Sequence, residues 1–430
     1  MTNPRWQVAS RHGPLILLYA YLFFLCIDMM GGGMKASFKH ALQDYLQAHA
    51  SDFNELVSFV IGLIGTTLVQ SSSTVTSMSV VLAAEGVVPM MIAVGIVHGA
   101  NLGTSTTSSI VAFISETRPL TGNIFRDGWS MLVDRRSEGF HRAVSTAVVH
   151  GLFNIVMVTG ILVALEVPFG LIHRSSEWTA QLIGSQLSAG GMVVDVLDWV
   201  SPKTYTKPVV KALLGFGIPG WALVIAALGG MFICLRGFSS SMKGLLLADT
   251  DLEDVGALGA KLIGNAPFDT FLRGLLLTIM VQSSSATTSL VVPLAGMGFF
   301  TVRRIFPFIM GANIGTCVTA LLAAASGVGG EGFELGMTIA LSHLFLNTLA
   351  VILVAVVPGL LTSVIRLSEW LADAAVRLPA NLILYLVALS VVLPAAVIAL
   401  PMNAALGLLS LLVIAMIVLP HVLGQRPAAD

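Results

Sequence analysis

Charge is scarce in this chain. Of 430 residues, 10% are Asp, Glu, Lys or Arg and 56% are hydrophobic, with a mean hydropathy of +0.89; an average soluble domain carries about 25% charged residues. So little charge cannot cover a water-facing surface, which excludes an ordinary soluble fold. The net charge of −1 leaves no basic footprint for nucleic acid. There is no nucleotide-binding glycine loop with its lysine, which argues against ATP-driven transport on this chain. Cysteine is nearly absent. Cys26, Cys234 and Cys317 have no metal-ligand spacing and read as small packing residues. Alternation of the kind that marks barrel strands is also missing. The apolar runs are continuous, as over 382–400 and 404–419, which calls for helices, because in hydrocarbon the backbone must satisfy itself.

What is present, twice, is a polar tetrapeptide. Gln70-Ser71-Ser72-Ser73 recurs as Gln282-Ser283-Ser284-Ser285. Gly99-Ala100-Asn101-Leu102-Gly103-Thr104 recurs as Gly311-Ala312-Asn313-Ile314-Gly315-Thr316. The Gln-to-Asn spacing is 31 in both copies (101 − 70 and 313 − 282), so 62–107 recurs without a gap 212 residues later (282 − 70). Looser matches extend the repeat: Cys26 with Cys234, His150 and Asn154 with His343 and Asn347, and Glu177-Trp178 with Glu369-Trp370.

Both halves read alike. A full span (14–34 and 217–238) precedes two half-length apolar pieces flanking Gln-Ser-Ser-Ser (54–69 and 73–87; 267–281 and 285–299). A third element is expected to break at Asn-x-Gly-Thr (89–115 and 302–326), a fourth spans fully (143–166 and 335–358), and an amphipathic interfacial segment closes each half. A charged surface loop fills 116–142, and the unmatched spans 382–400 and 403–422 follow. Pieces of ~15 residues reach only ~22 Å against a core of ~30 Å, so they read as re-entrant hairpins. Each half then crosses three times, an odd number, which inverts the second half relative to the first. The expected fold is an all-α integral membrane protein of two inverted repeats, each with a re-entrant helical hairpin and a broken helix, about eight full spans in all. Its units are a first repeat at 14–185, a linker at 186–216, a second repeat at 217–378 and a C-terminal pair of spans with a tail at 379–430. The segment 15–30 lacks a cleavage site and reads as a first span. Arg5 and Arg11 favour an inside N-terminus, although Lys35 and Lys39 follow that span.

Two serine-rich tips offer specific chemistry. A helix that starts within Gln-Ser-Ser-Ser points free N–H groups and partial positive charge at the tip, and the hydroxyls add donors. Two such ends make an anion cradle. The glutamines and the Asn-x-Gly-Thr segments supply oxygens suited to a hard cation such as Na+. The hairpin pieces contain no lysine or arginine except Arg273. A multiply charged anion would therefore lack a fixed counter-charge, and co-bound cations would supply it. The competing reading is that Ser and Thr merely let membrane helices pack closely. Asn101 and Asn313 read as cation ligands or as helix caps. His150, His343, Asn154 and Asn347 read as hydrogen-bonding groups between helices or as lining of a pathway. Asp28 and Arg236, equivalent positions of opposite charge, read as a mutual ion pair or as separate interfacial groups.

On these motifs, Val69-Gln-Ser-Ser-Ser-Thr74, Gly99-Ala-Asn101-Leu-Gly-Thr-Ser105, His150-Gly-Leu-Phe-Asn154 and their second copies, the chain resembles the type II sodium–phosphate cotransporters in a bacterial version. The resemblance spans 15–378. It implies secondary active symport of inorganic phosphate with Na+ as co-transported ion, no organic cofactor and no catalysis, in a multi-pass plasma-membrane (bacterial inner membrane) protein embedded in the lipid bilayer, with room for a homo-oligomer. It further implies phosphate contacts at Ser71, Ser72, Ser73, Ser283, Ser284 and Ser285, and Na+ contacts at Gln70, Asn101, Thr104, Gln282, Asn313 and Thr316. Ala312 stands where vertebrate relatives often have serine. Cys317-Val318 stands where the first half has Ser105-Thr106, a difference that bears on the number of Na+ ions. The alternatives are a Na+-coupled symporter of another oxyanion, sulfate or a dicarboxylate, and a passive anion channel.

Overall fold

The apolar runs fold as helices, and among the described residues of the computed structural model there is no strand. Those residues are 5–37, 55–69, 71–106, 108–109, 112, 138–155, 161, 165–166, 169–189, 202–246, 262–326, 332–357, 359–378, 380–388 and 392. Gln70, most of the 116–142 loop and most of the last two predicted spans lie outside them.

The first half contributes α1 (Arg5–Ser37), α2 (Glu55–Val69), α3 (Ser72–Ala84), α4 (Met90–Gly103), α5 (Glu138–Phe153) and α6 (Leu171–Ala189). Then come α7 (Pro202–Gly215) and the second half: α8 (Gly220–Leu246), α9 (Pro267–Val281), α10 (Ser284–Gly296), α11 (Val302–Ala325), α12 (Phe333–Val356) and α13 (Leu360–Arg377). A short α14 (Ala380–Val387) ends the described chain but for a few residues. Among the described residues, three helical stretches are long and apolar enough to cross a membrane: His12–Ser37, Val302–Ala325 and Phe333–Val356. The four pieces flanking the serine motifs are helices of 15, 13, 15 and 13 residues, short of a full crossing.

One expectation is corrected. The second Asn-x-Gly-Thr does not break its helix: α11 runs unbroken for 24 residues, with Asn313, Gly315 and Thr316 inside it. In the first half the interruption is slight. Thr104 ends α4 in a right-handed conformation, φ −59° and ψ −30°, and helical residues follow directly. Helix capping by either asparagine is thereby excluded. The glycines serve packing instead of breakage. A methyl on Gly99 would overlap the carbonyl oxygen of Phe59, and one on Gly311 would overlap that of Phe271, its repeat equivalent. Small residues let α2 lie against α4, and α9 against α11, at backbone distance. Within the expected linker 186–216, the structure is described at 186–189 and from residue 202 on. This latter part is the helix α7, which lays Val210 against Gly32 of α1 while Thr206 donates to Asp28. That contact, with a partner missing from the sequence reading, gives Asp28 a role near α7; the Arg236 side chain is outside the described set.

The halves pack crosswise. The amphipathic α6 of the first half lies on α12 of the second, and α13 of the second lies on α5 of the first. Likewise α3 packs on α12 and α10 on α5, while α1 and α8, equivalent to each other, pack together with Cys26 and Cys234 in contact. One core joins Phe140, Val144 and Val148 to Val291, Val292, Val364 and Ile365, and a second joins Ile27, Met30, Val80, Ala227, Met231 and Ile339. Large apolar side chains remain outside, Leu68 at 78% and Phe268 at 74% exposure, as a lipid-facing surface requires. Lys35 reaches Glu85 at 3.7 Å, so Glu85 ends α3 beside a cation.

The glycine contacts generate a test. Gly99→Ala and Gly311→Ala are each expected to destabilise the protein by about 1–3 kcal/mol, because the helices must separate to admit the methyl. Gly229→Ala, whose new methyl meets nothing within 4 Å, serves as the control. Thermal unfolding in detergent is the readout, and equal midpoints for all three variants would contradict the packing.

Candidate functional site

Each serine motif starts a helix, for the same local reason. Serine favours the N-cap because its hydroxyl accepts from a free N–H of the first turn. Ser71 is extended (φ −150°, ψ 95°), and its Oγ accepts from the Thr74 N–H at 3.3 Å and lies 2.8 Å from Thr74 Oγ1. Ser283 does the same in the second copy, accepting from the Ala286 N–H at 3.2 Å. The first turns of α3 and α10 therefore face the two tips.

The tips touch. Ser73 Oγ donates to the backbone oxygen of Gln282 at 3.1 Å, a bond between residues 209 apart in sequence. Gln282 is the only non-glycine residue with positive φ among the described residues, at φ 55° and ψ 28°. Non-glycine residues enter this region at a steric cost, which here ends α9 sharply. The Gln282 side chain is fixed at both ends, its amide donating to Ile279 O and its Oε1 accepting from Thr319 Oγ1 at 2.8 Å. Just beyond the tips, Ser108 Oγ and Thr288 Oγ1, again from different halves, lie 2.9 Å apart.

The tip serines differ in exposure and partners. Ser72, Ser73 and Ser284 are buried, while Ser71, Ser283 and Ser285 are partly exposed. The Ser284 hydroxyl has no hydrogen-bond partner, and neither have those of Thr66 and Thr278, the equivalent residues one turn before each glutamine. A buried hydroxyl without a partner costs stability, so such groups are where a ligand supplies what the protein withholds. Thr104 and Thr316 each donate to their own helix, to Ala100 O at 3.1 Å and Ala312 O at 3.0 Å, which leaves their oxygen lone pairs for other partners. Arg273, the one basic residue in the hairpin pieces, is 3.0 Å from Asp269 and partly exposed.

Asn101 and Asn313 are not joined to any tip serine by a described hydrogen bond. They meet the other half instead. Asn101 Nδ2 donates to Asn347 Oδ1 at 3.0 Å, and Asn313 Nδ2 to Asn154 Oδ1 at 2.7 Å. His150 Nε2 lies 2.9 Å from Asn313 Oδ1. His150 and both asparagines of the pair, Asn154 and Asn347, thus bond helix to helix, the first of their two sequence readings, whereas neither ring nitrogen of His343 has a partner. Thr319, Ser108 and Thr288 were missed. Their signal was the spacing of hydroxyls by a helical turn behind each motif, as in Thr316 and Thr319.

The region carrying this geometry is matched by a protein-family model described as Na+/Pi-cotransporter, over residues 22–240 and 257–392. Similar proteins include sodium-dependent phosphate transport protein 2A of Mus musculus, 25% identical over 403 residues, which covers 79% of this chain and 60% of that one. Sodium-dependent phosphate transport protein 2B of Homo sapiens is 28% identical over 425 residues, 79% of this chain and 58% of the other. Protein 2C of Rattus norvegicus is 26% identical over 338 residues, 62% of this chain and 52% of the other. The chain thus spans about 60% of the length of the first of these relatives. No solved structure matches it.

Proposed function

The chain belongs to the Na+/Pi-cotransporter family, and on that premise we propose that it is a secondary active transporter that moves inorganic phosphate together with Na+ across the plasma membrane. The observation that carries the reading is the meeting of the two serine tips, each the start of a helix, through Ser73 and Gln282. Phosphate sits between the tips. It takes hydrogen bonds from the free N–H groups of α3 and α10 and from the hydroxyls of Ser71, Ser72, Ser73, Ser283, Ser284 and Ser285. Neither α3 nor α10 contains a lysine or arginine. An uncompensated anion buried there would cost many kcal/mol, far more than neutral donors return. Na+ supplies the missing charge, held by the oxygens of Gln70, Gln282, Asn101, Asn313, Thr104 and Thr316. Anion affinity then depends on Na+, and the Na+ gradient drives accumulation.

The architecture proposed with this function is a pair of inverted repeats, 14–185 and 217–378, each with a re-entrant hairpin, followed by two further spans. The crosswise packing of α6 on α12 and α13 on α5, and the contact of Cys26 with its equivalent Cys234, support a two-fold relation between the halves. An odd number of crossings per half makes that two-fold an inversion.

Two measurements test these readings. In proteoliposomes, radiolabelled phosphate is expected to accumulate under an inward Na+ gradient and to fall to the passive level when choline replaces Na+; equal accumulation in choline would refute the coupling. For topology, cysteines placed at Asp52 and Pro267, near the two hairpin entrances, should react with an impermeant maleimide from opposite sides of the membrane. Reaction of both from one side would mean parallel repeats.

A further inference from the structure

The halves repeat each other in sequence but not in all their hydrogen bonds. Asn101 is equivalent to Asn313, Asn154 to Asn347 and His150 to His343. A strict two-fold relation would make every bond twice. The asparagine pair obeys this, in the bonds from Asn101 to Asn347 and from Asn313 to Asn154. Two further bonds are made once. His150 Nε2 donates to Asn313 Oδ1 at 2.9 Å, whereas neither ring nitrogen of His343 has a partner, although His343 is fully buried at 0% exposure. Asn154 Nδ2 reaches the backbone oxygen of Asn101 and Ser105 Oγ, both at 3.2 Å. Asn347 Nδ2 keeps the counterpart of the second contact, to Cys317 Sγ at 3.6 Å, but not of the first: it donates to His343 O of its own helix at 2.9 Å instead of to the backbone of Asn313. Two independent differences agree: the cluster of His150, Asn154 and Asn313 is closed, and its counterpart is slack.

A buried imidazole with both nitrogens unpaired lowers stability unless another state of the protein pairs it. Inverted repeats supply such a state. When two halves change access by exchanging conformations, the bonds of one half in one state become those of the other half in the opposite state. We propose that His150 and His343 are alternating latches of the transport cycle. His150 holds Asn313 in the access state described here, and His343 holds Asn101 in the opposite one. The proposal rests on the transporter reading above. His343 needs no large movement to act, because Asn347, one turn along α12, already holds Asn101. Both latched asparagines are proposed Na+ contacts, so each latch also positions a cation ligand of the opposite half. The two histidines are positioning residues; neither is assigned a contact with phosphate. His98, one turn before Asn101 on α4, is likewise buried, beside Ser342 and His343 of α12, and position 310, its equivalent, is methionine. The slack cluster thus has polar surroundings that its counterpart lacks.

The test uses the purified full-length chain in sided proteoliposomes and reads the half-saturating phosphate concentration at each membrane face. Loss of one latch shifts the balance of access states, which raises that concentration on one face and lowers it on the other. His150→Leu is expected to shift the ratio of the two faces about threefold or more in one direction, and His343→Leu by a similar factor in the opposite direction. His150→Gln and His343→Gln, which keep an amide donor of similar reach, should return the ratio towards that of the unmodified protein. Same-direction shifts, no shift, or loss of folding in all four variants by size-exclusion chromatography would overturn the latches and assign these residues to the scaffold. Absence of Na+-driven phosphate uptake by the unmodified protein is a separate result, and it would overturn the transporter reading itself.

Discussion

Four helices of 13 and 15 residues flank the serine motifs, and each has an end that hydrocarbon cannot solvate. The rest of the molecule is arranged to hide those ends. Serine caps close the starts of α3 and α10, the strained Gln282 turns α9 back, and the two tips bond to each other through Ser73. Short helices can meet in mid-bundle only if longer ones enclose them. The longer α11 and α12 pack around them, and Asn313 of α11 and Asn347 of α12 bond to Asn154 and Asn101 of the other half. The polar groups that end the helices are also those proposed to hold an anion and its cations, so the same backbone requirement shapes fold and site.

The enclosure depends on closeness. At Gly99 and Gly311 the helices touch backbone to backbone, which sets the motif-bearing α4 and α11 directly against α2 and α9. Crosswise packing then ties each half to the other: α6 to α12, α13 to α5, α3 to α12 and α10 to α5. Neither half buries its own polar surface alone. The proposed site is likewise divided between the halves, with Ser73 of the first meeting Gln282 of the second.

Much of the architecture was legible in the sequence. The ungapped repetition of Gln-Ser-Ser-Ser and Asn-x-Gly-Thr marked the two halves, and serine's preference for helix starts located α3 and α10 to within a residue or so. One misreading is instructive. Gly315 looked like a break in α11, but a helix tolerates glycine where it lets a neighbour approach, and that neighbour, α9, is not visible from the local sequence. Residues 202–215, within the expected linker, form the helix α7. There Lys207 and Lys211 are exposed, while Thr206 and Val210, four residues apart, turn towards α1. The asparagine pairing was illegible in principle, since spacing along a chain does not say which helix of the other half a side chain will meet.

The central claim is that two halves build one site. Equilibrium binding of radiolabelled phosphate to the purified protein in saturating Na+ tests it most directly. The account predicts one phosphate per chain, with binding abolished by Ser72→Ala and equally by Ser284→Ala in variants that remain folded. Two phosphates per chain, or a variant that keeps half of the binding after loss of either serine, would contradict it.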